Sequence, residues 1–457
     1  MPLRLVAALV AALLATTALP AAAVTQAPGV LVVGGTPAGV AAAVTAARHG
    51  ESVVLVAQGD DLGGVLSDAG MDQWDLNLAP DGKPVEAGIF ATIYAALGDA
   101  FTPHGAACVF AALVAQQPRI HAIFDARPIG VRGETYGAET QIQAVTFARS
   151  GGAPFTVDAD AVIDATDDAD LAALAGARYD LGRQDEGTDD LMQPVTLMFA
   201  VSGVDWHALA RAYDPAADGA GGALERRAWG YAKLLTAYRP ASPDVLVRDL
   251  NLAREDDGDV SVNAIDVLGI DGLDPAALAR ARALAEGEAP RLVDYLRARI
   301  PGFAAARVRG YADAVYVRET RHVLGLDVLT AADVWDGVLP ADRIGLSSYP
   351  LDLHPVTATD RLAYAPVRHV YGVPFGALVP RGLTNLLIAS PAISASHEAA
   401  GSARVIPTTI EEGEAAGLAA ALADREHVTF PALARTPALV ADLQTALRRD
   451  GAILEAA

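Results

Sequence analysis

One cysteine, Cys108, stands in a chain of 457 residues. That excludes an intrachain disulfide, a Cys-x-x-Cys redox pair and any cysteine-ligated zinc or iron–sulfur centre. Positive charge is also scarce: 34 Lys and Arg face 56 Asp and Glu, a formal net charge of -22. A phosphate backbone would be repelled by such a surface, so the charge argues against nucleic acid as a partner. Lysine is nearly absent, with only Lys83 and Lys233. No grouping of Cys, His, Asp or Glu has metal-ligand spacing, so no metal is expected. No Gly-x-Ser-x-Gly elbow supports a hydrolase. What is abundant is apolar: 52% of residues are hydrophobic and 20% are charged. A chain of this length and composition packs as two domains built together rather than as one core.

Residues 1–23 read as a secretory signal peptide. Arg4 supplies the positive start, Leu5–Leu19 a short apolar run, and Ala21-Ala22-Ala23 a small-residue cleavage site. The expectation is export to the periplasm or beyond, with no membrane span left after cleavage at Val24. There is no twin arginine, so the segment fits general secretion.

The mature chain is organised around Gly29–Gly39. An apolar run, Val30–Val33, meets the turn Gly34-Gly35-Thr36-Pro37-Ala38-Gly39. An Ala-rich helix and a second apolar run, Ser52–Val56, follow. This is β-turn-α-β at the length of a dinucleotide-binding unit. Small residues at such a turn let helix-terminal N–H groups face a pyrophosphate. Thr36 replaces the usual middle glycine. At the end of the second strand Ala57 stands where an acidic residue normally takes the ribose hydroxyls. Gln58 follows it and bonds a hydroxyl more weakly than a carboxylate does.

Farther along, Leu62-Gly63-Gly64 lies in a Gly- and Asp-rich loop. Ala87–Leu97 and Pro103–Ala115 have helical spacing, and Ile120–Ala126 alternates as a strand. Gly130–Val157 has the short runs and turns of a β-meander. Asp160–Thr166 is a buried strand. Tyr179–Asp190 is a polar crossing between domains. Pro194–Val201 and Tyr311–Arg321 read as strands, and Asp274–Ile300 as a long helix capped by Asp274. Thr384–Ala389 is another buried strand. The helix Ile406–Asp424 carries Glu411, Glu412 and Glu414 in its first turns, where the helix dipole favours them. The block Ile393–Thr409 lies between that strand and that helix. Its positive helix end, with Arg404, suits a charge that turns negative on reduction.

Candidate substrate-side residues are Arg318, His354 and His397. Arg318 and Glu319 alternate on one strand and so point to opposite faces. Arg318 could orient an anionic or polyhydroxylated substrate, or form a structural ion pair. His354 and His397 could each move a proton, or fix a loop. His104, His207 and His322 have no evident companions.

The ordered motifs GGTPAG, LGG, VIDAT, QPVTLMF, RETRH, YPLDLHP, YGVPFGALVP and ISASHEAAGSARVIPTT resemble a family of FAD-dependent oxidoreductases. That family is similar to the wider glutathione-reductase-like and fumarate-reductase-like flavoproteins. The resemblance runs from about Val30 to Asp424. It implies non-covalent FAD in an α/β, Rossmann-like FAD/NAD(P)-binding domain with a parallel sheet and β-meander, plus an inserted α+β substrate domain. It implies that Gly34, Gly35, Thr36, Pro37, Ala38 and Gly39 meet the pyrophosphate, with Gln58 nearby. Gly63 and Gly64 would sit near the ribityl and flavin, Ala126 on the adenine side, and Ala165 and Thr166 along the same pocket. Arg404 and Val405 would lie under the isoalloxazine. Asp167 and Ala169 stand where relatives usually have glycines, and Ser390-Pro391 replaces a small-Gly pair.

The resulting expectation is a FAD-binding domain from residues 28–178 and 376–425, a substrate domain at 179–375 and a helical tail at 426–457. The activity would be hydride transfer between a small organic substrate and flavin. A non-catalytic secreted binding protein on the same fold is the alternative that Ala57 and Asp167 favour. The sequence names neither an electron acceptor nor an oligomeric state.

Overall fold

Four-residue runs of Val, Leu and Ile are too short for helices and apolar on both faces, which suits strands covered on both sides. In the computed structural model, which describes residues 28–360, 363–367 and 369–456, they form one parallel sheet. Its order is Leu386–Ile388, Ala161–Asp164, Val30–Val33, Val53–Val56 and Ile120–Ile123. Strands from both ends of the chain therefore share one sheet. The signal peptide expected at residues 1–23 lies outside the described residues. Among the described residues no helix is long and apolar enough to cross a membrane.

The helix Pro37–Arg48 starts on Thr36, whose side chain accepts a hydrogen bond from Gly39 N. It packs against the long helix Ile406–Glu426 at very short range. A Cβ at Gly413 or Gly417 would collide with the carbonyl of Ala38 or Ala42. The glycines four residues apart on one helix and the alanines on the other are thus one packing solution. The β-meander forms as Ala126–Tyr136, Glu139–Arg149 and Phe155–Asp158. It is inserted between two strands of the parallel sheet.

A second hydrophobic core occupies residues 195–306. It lies between a six-stranded antiparallel sheet and the helix Pro275–Arg297, capped by Asp274. Residues such as Val323, Val334, Ile344 and Tyr371 join the first core instead. The segment 179–375 is therefore divided between two cores.

Two expected strands are broken. Tyr311–Arg321 gives a strand at Arg307–Tyr311, an irregular stretch, and a strand at Arg321–Val323. Pro194–Val201 gives Val195–Thr196 and Phe199–Ser202. The alternation was real, but part of it serves a wall between the cores. Tyr316 N bonds Thr196 O at 2.8 Å, and Ala314 N bonds Asp68 O at 2.8 Å. The C-terminal stretch is helical, as Phe430–Arg435 and Pro437–Asp450.

Candidate active site

The site begins at the glycine turn. Gly34 has φ +120°, and a Cβ there would strike the carbonyl of Ala165. Thr36 is more than a lost glycine. Its hydroxyl donates to Ala165 O at 2.8 Å and accepts from Gly39 N at 3.1 Å, tying the turn to the strand Ala161–Asp164. Gly63 N donates to Gly35 O at 2.8 Å. Gly64, at φ +48°, lies so close over Thr36 that a side chain would have to displace it.

Two cavities, of about 120 Å³ and about 320 Å³, meet here. Both are lined by Thr36, Gln58, Gly64, Asp68, Asp167 and Asp168, so they form one cleft and these aspartates stand where its two ends meet. Gly34, Gly35 and Thr166 line its narrow end. Pro37, Ala38, Arg318 and Arg404 line its wide end. Gly39, Gly63, Ala126, Ala165 and Val405 are not part of the lining and stand behind it. Ala126 N bonds Ala57 O at 3.0 Å, and Val405 forms the N-cap of the helix Ile406–Glu426.

The narrow end is acidic. Asp61, Asp68, Asp167, Asp168 and Asp170 line it. Burial, with Asp61 alongside, pushes the Asp68 carboxyl up to about 6. Asp167 is exposed to solvent at the cavity; the cleft walls, then Asp168, Asp68 and Asp170, raise its carboxyl pKa above the usual carboxylate range. Burial raises Asp168 to about 6, against a hydrogen bond from Thr320 Oγ1 at 2.7 Å. Gln58 Nε2 donates to Asp170 Oδ2 at 3.4 Å.

The wide end is arginine-rich. Arg404 donates from Nη1 to the Tyr316 hydroxyl at 3.0 Å and from Nη2 to Asp352 Oδ2 at 3.3 Å. Arg318 donates to Pro194 O at 2.7 Å and Thr196 Oγ1 at 2.8 Å, and pairs with Asp266 Oδ1 at 3.2 Å. His354 bridges the two counter-ions. Its Nδ1 is 2.9 Å from Asp266 Oδ2 and its Nε2 is 3.3 Å from Asp352 Oδ2. Burial opposes ionisation of both aspartates, yet Arg318 with His354, and His354 with Arg404, hold them well below the usual carboxylate range. His354 itself does not line the cleft; it touches the two acids that hold the cleft's arginines.

His397 faces elsewhere. Its Nδ1 is 2.6 Å from Glu319 Oε1, and His322 Nε2 is 2.8 Å from the same oxygen. His322 therefore has a companion that its sequence context did not reveal. Burial opposes charge on His397, but Glu319 raises its pKa overall. Arg318 and Glu319 do point opposite ways, one to the cleft and one to the histidines. Tyr316, Asp352 and Asp266 were missed in the sequence. The one available signal was Asp352-Leu353-His354, an acid and an imidazole two residues apart in a stretch that reads as extended, which puts them on one side of it.

A parallel sheet with a glycine turn, closed by a helix from the far end of the chain, defines the dinucleotide-binding class. Residues 29–447 match the family model described as FAD dependent oxidoreductase, and the chain belongs to that family. Its cofactor is FAD. Among solved structures the chain is similar to p-nitrophenol 4-monooxygenase from Pseudomonas putida DLL-E4, at 11% identity and a TM-score of 0.45, covering 93% of this chain and 86% of that one. It is also similar to a geranylgeranyl bacteriochlorophyll reductase-like protein from Thermoplasma acidophilum, at 12% identity and a TM-score of 0.46, covering 93% and 84%. No curated protein matches the sequence.

The residues fit FAD sterically. Gly34 and Gly35 border the open cavity without a side chain in it, and a Cβ at either would strike Ala165 or Ala57 behind the turn. At the wide end Arg404 Nε is buried without a partner among the described residues. Gly34, Gly35, Thr36 and Gly64 would hold the nucleotide side, and Arg404 the flavin side.

Proposed function

We propose that the protein transfers a hydride between a small organic substrate and FAD, and that it does so after export. The observation that carries the reading is the convergence of Arg404, Tyr316 and Arg318 on the wide end of the cleft whose narrow end is the glycine turn. When bound, FAD supplies the redox chemistry, and the protein supplies position and charge. Arg404 fixes the Tyr316 hydroxyl and presents positive charge where negative charge develops. The Tyr316 hydroxyl holds or moves the substrate proton. Arg318, clamped by Thr196, Pro194 and Asp266, orients the substrate from beside it. His354 is a positioning residue, because it reaches the cleft only through Asp266 and Asp352. The apolar leader at residues 1–23 supports the export part of the reading.

The purified exported protein should carry a visible flavin band that dithionite bleaches. Protein that stays colourless after incubation with FAD sinks the reading. Tyr316→Phe should keep the band while slowing flavin reduction by small alcohols, amines or hydroxy acids about 10²–10⁴-fold. An unchanged rate removes Tyr316 from the proton's path.

A further inference from the structure

The narrow end of the cleft is lined by five aspartates and no lysine, arginine or histidine. They come from separate segments. Asp61 and Asp68 lie in the loop after Val53–Val56. Asp167, Asp168 and Asp170 follow the strand Ala161–Asp164. Asp60 adds charge beside Asp68, and Asp271 adds charge beside Asp168. The facing cation is Arg321, and its Nη1 is spent on Asp170 Oδ1 at 3.0 Å and on the Asp168 carbonyl. Arg318 and Arg404 line the wider cavity, which Asp68, Asp167 and Asp168 also border, but both arginines are engaged there by Asp266 and Asp352. Thr320 donates to Asp168, and Ser67 to Asp61 at 3.2 Å and Asp68 at 3.0 Å. Asp167 has no such donor and opens onto the cavity.

The glycine turn in this same cavity is the natural seat of a pyrophosphate, which carries two negative charges. A dianion brought among ionised carboxylates is repelled, and low local dielectric strengthens that repulsion. Protonating the carboxylates relieves it. We propose that this chain takes up protons together with FAD, with Asp167 as the residue that sets the linkage. The protein then loads its cofactor in mildly acid surroundings and releases it in alkaline ones. The proposal rests on the reading that FAD lies with its pyrophosphate on the glycine turn. The directions of titration agree: burial raises the Asp68 and Asp168 carboxyls, and the cleft walls with the neighbouring carboxylates raise that of Asp167, without the cofactor.

The test is FAD binding to the full mature chain, followed by quenching of flavin fluorescence, with circular dichroism confirming the fold at each pH. One coupled proton raises the Kd about tenfold per pH unit above the pKa of the free protein. Between about pH 6 and about pH 8.5 the wild-type Kd should rise roughly 100-fold. Asp167→Asn should remove about tenfold or more of that rise, chiefly by tightening binding at the alkaline end. Tight binding that does not vary with pH overturns the proposal and leaves the cofactor reading intact. An equal pH slope in wild type and Asp167→Asn removes Asp167 from it. No binding of FAD even at acid pH overturns both readings.

Discussion

The two ends of the cleft solve the same problem in opposite ways. At the wide end buried carboxylates meet fixed cations: Asp266 faces Arg318, and Asp352 faces Arg404. At the narrow end Asp68, Asp167 and Asp168 crowd together with no cation paired to them among the described residues, and their carboxyl pKa values are raised. The difference separates what each end answers to. Removing an arginine should damage the wide end at any pH, whereas pH alone should remodel the narrow end.

The largest effect expected is at Arg404. It is buried, and its loss leaves the half-buried Asp352 with His354 as its one remaining cationic partner within ion-pair distance among the described residues. Breaking such a pair costs about 3–5 kcal/mol, so Arg404→Ala should lower the urea midpoint by a corresponding amount. Asp352→Asn in the same chain should recover part of the loss, since it removes the charge that Arg404 had balanced. If the double variant is no more stable than Arg404→Ala, the wide end is not a balanced pair and the contrast fails there.

A third place extends the rule. Glu411, Glu412 and Glu414 lie on the helix Ile406–Glu426, and all three are buried, together with Glu86. Glu414 Oε2 accepts from Ile89 N at 3.1 Å, but no arginine faces it within ion-pair distance among the described residues. Burial pushes its carboxyl up to about 7. A raised carboxyl pKa means that the stability it permits is complete below the unfolded value near 4.5 and is lost as pH rises through about 7. This group should therefore cost about 3 kcal/mol between those limits. Glu414→Gln keeps an acceptor for Ile89 N and removes the titration. Its stability, relative to wild type, should rise by about that amount from pH 4.5 to pH 8 in denaturant titrations. A constant difference would mean that Glu414 is ionised in the fold and stabilised by some other means.

Much of this was legible in the sequence, and the reasons are local. Val30–Val33, Val53–Val56 and Leu386–Ile388 announce themselves as strands because both of their faces are buried. Thr36-Pro37 starts a helix by capping, which needs only four residues of context. What escaped notice depends on distant partners. Asp266 and His354 are 88 positions apart, and Glu319 and His397 are 78. No periodicity carries such a pairing. Glu411, Glu412 and Glu414 looked like a dipole-favoured helix start, because spacing does not say that Leu346 N will come to bond Glu411 and Ile89 N to bond Glu414. The pattern at 311–321 misled for a related reason. A wall between two cores alternates like a strand without joining a sheet.

The smallest effect expected is the one that tests whether charge or shape governs the narrow end. Asp167 and Ala169 both stand where a glycine was expected, so the two differences arrive together. Ala169 adopts φ +51°, a left-handed conformation that costs an L-residue roughly 1–2 kcal/mol. Its methyl group is fully buried, and burying a methyl returns about 0.8 kcal/mol. A glycine also loses more chain entropy on folding, by about 0.4–1 kcal/mol. These terms nearly cancel, so Ala169→Gly should change stability by less than about 1 kcal/mol in a thermal melt. It alters no charge, so its Kd for FAD should stay within about threefold of wild type at every pH, with the slope unchanged. Were Ala169→Gly to tighten FAD binding at alkaline pH as much as Asp167→Asn does, the backbone of the loop would be the obstacle. The contrast between a proton-balanced end and an arginine-balanced end would then reduce to a matter of loop geometry.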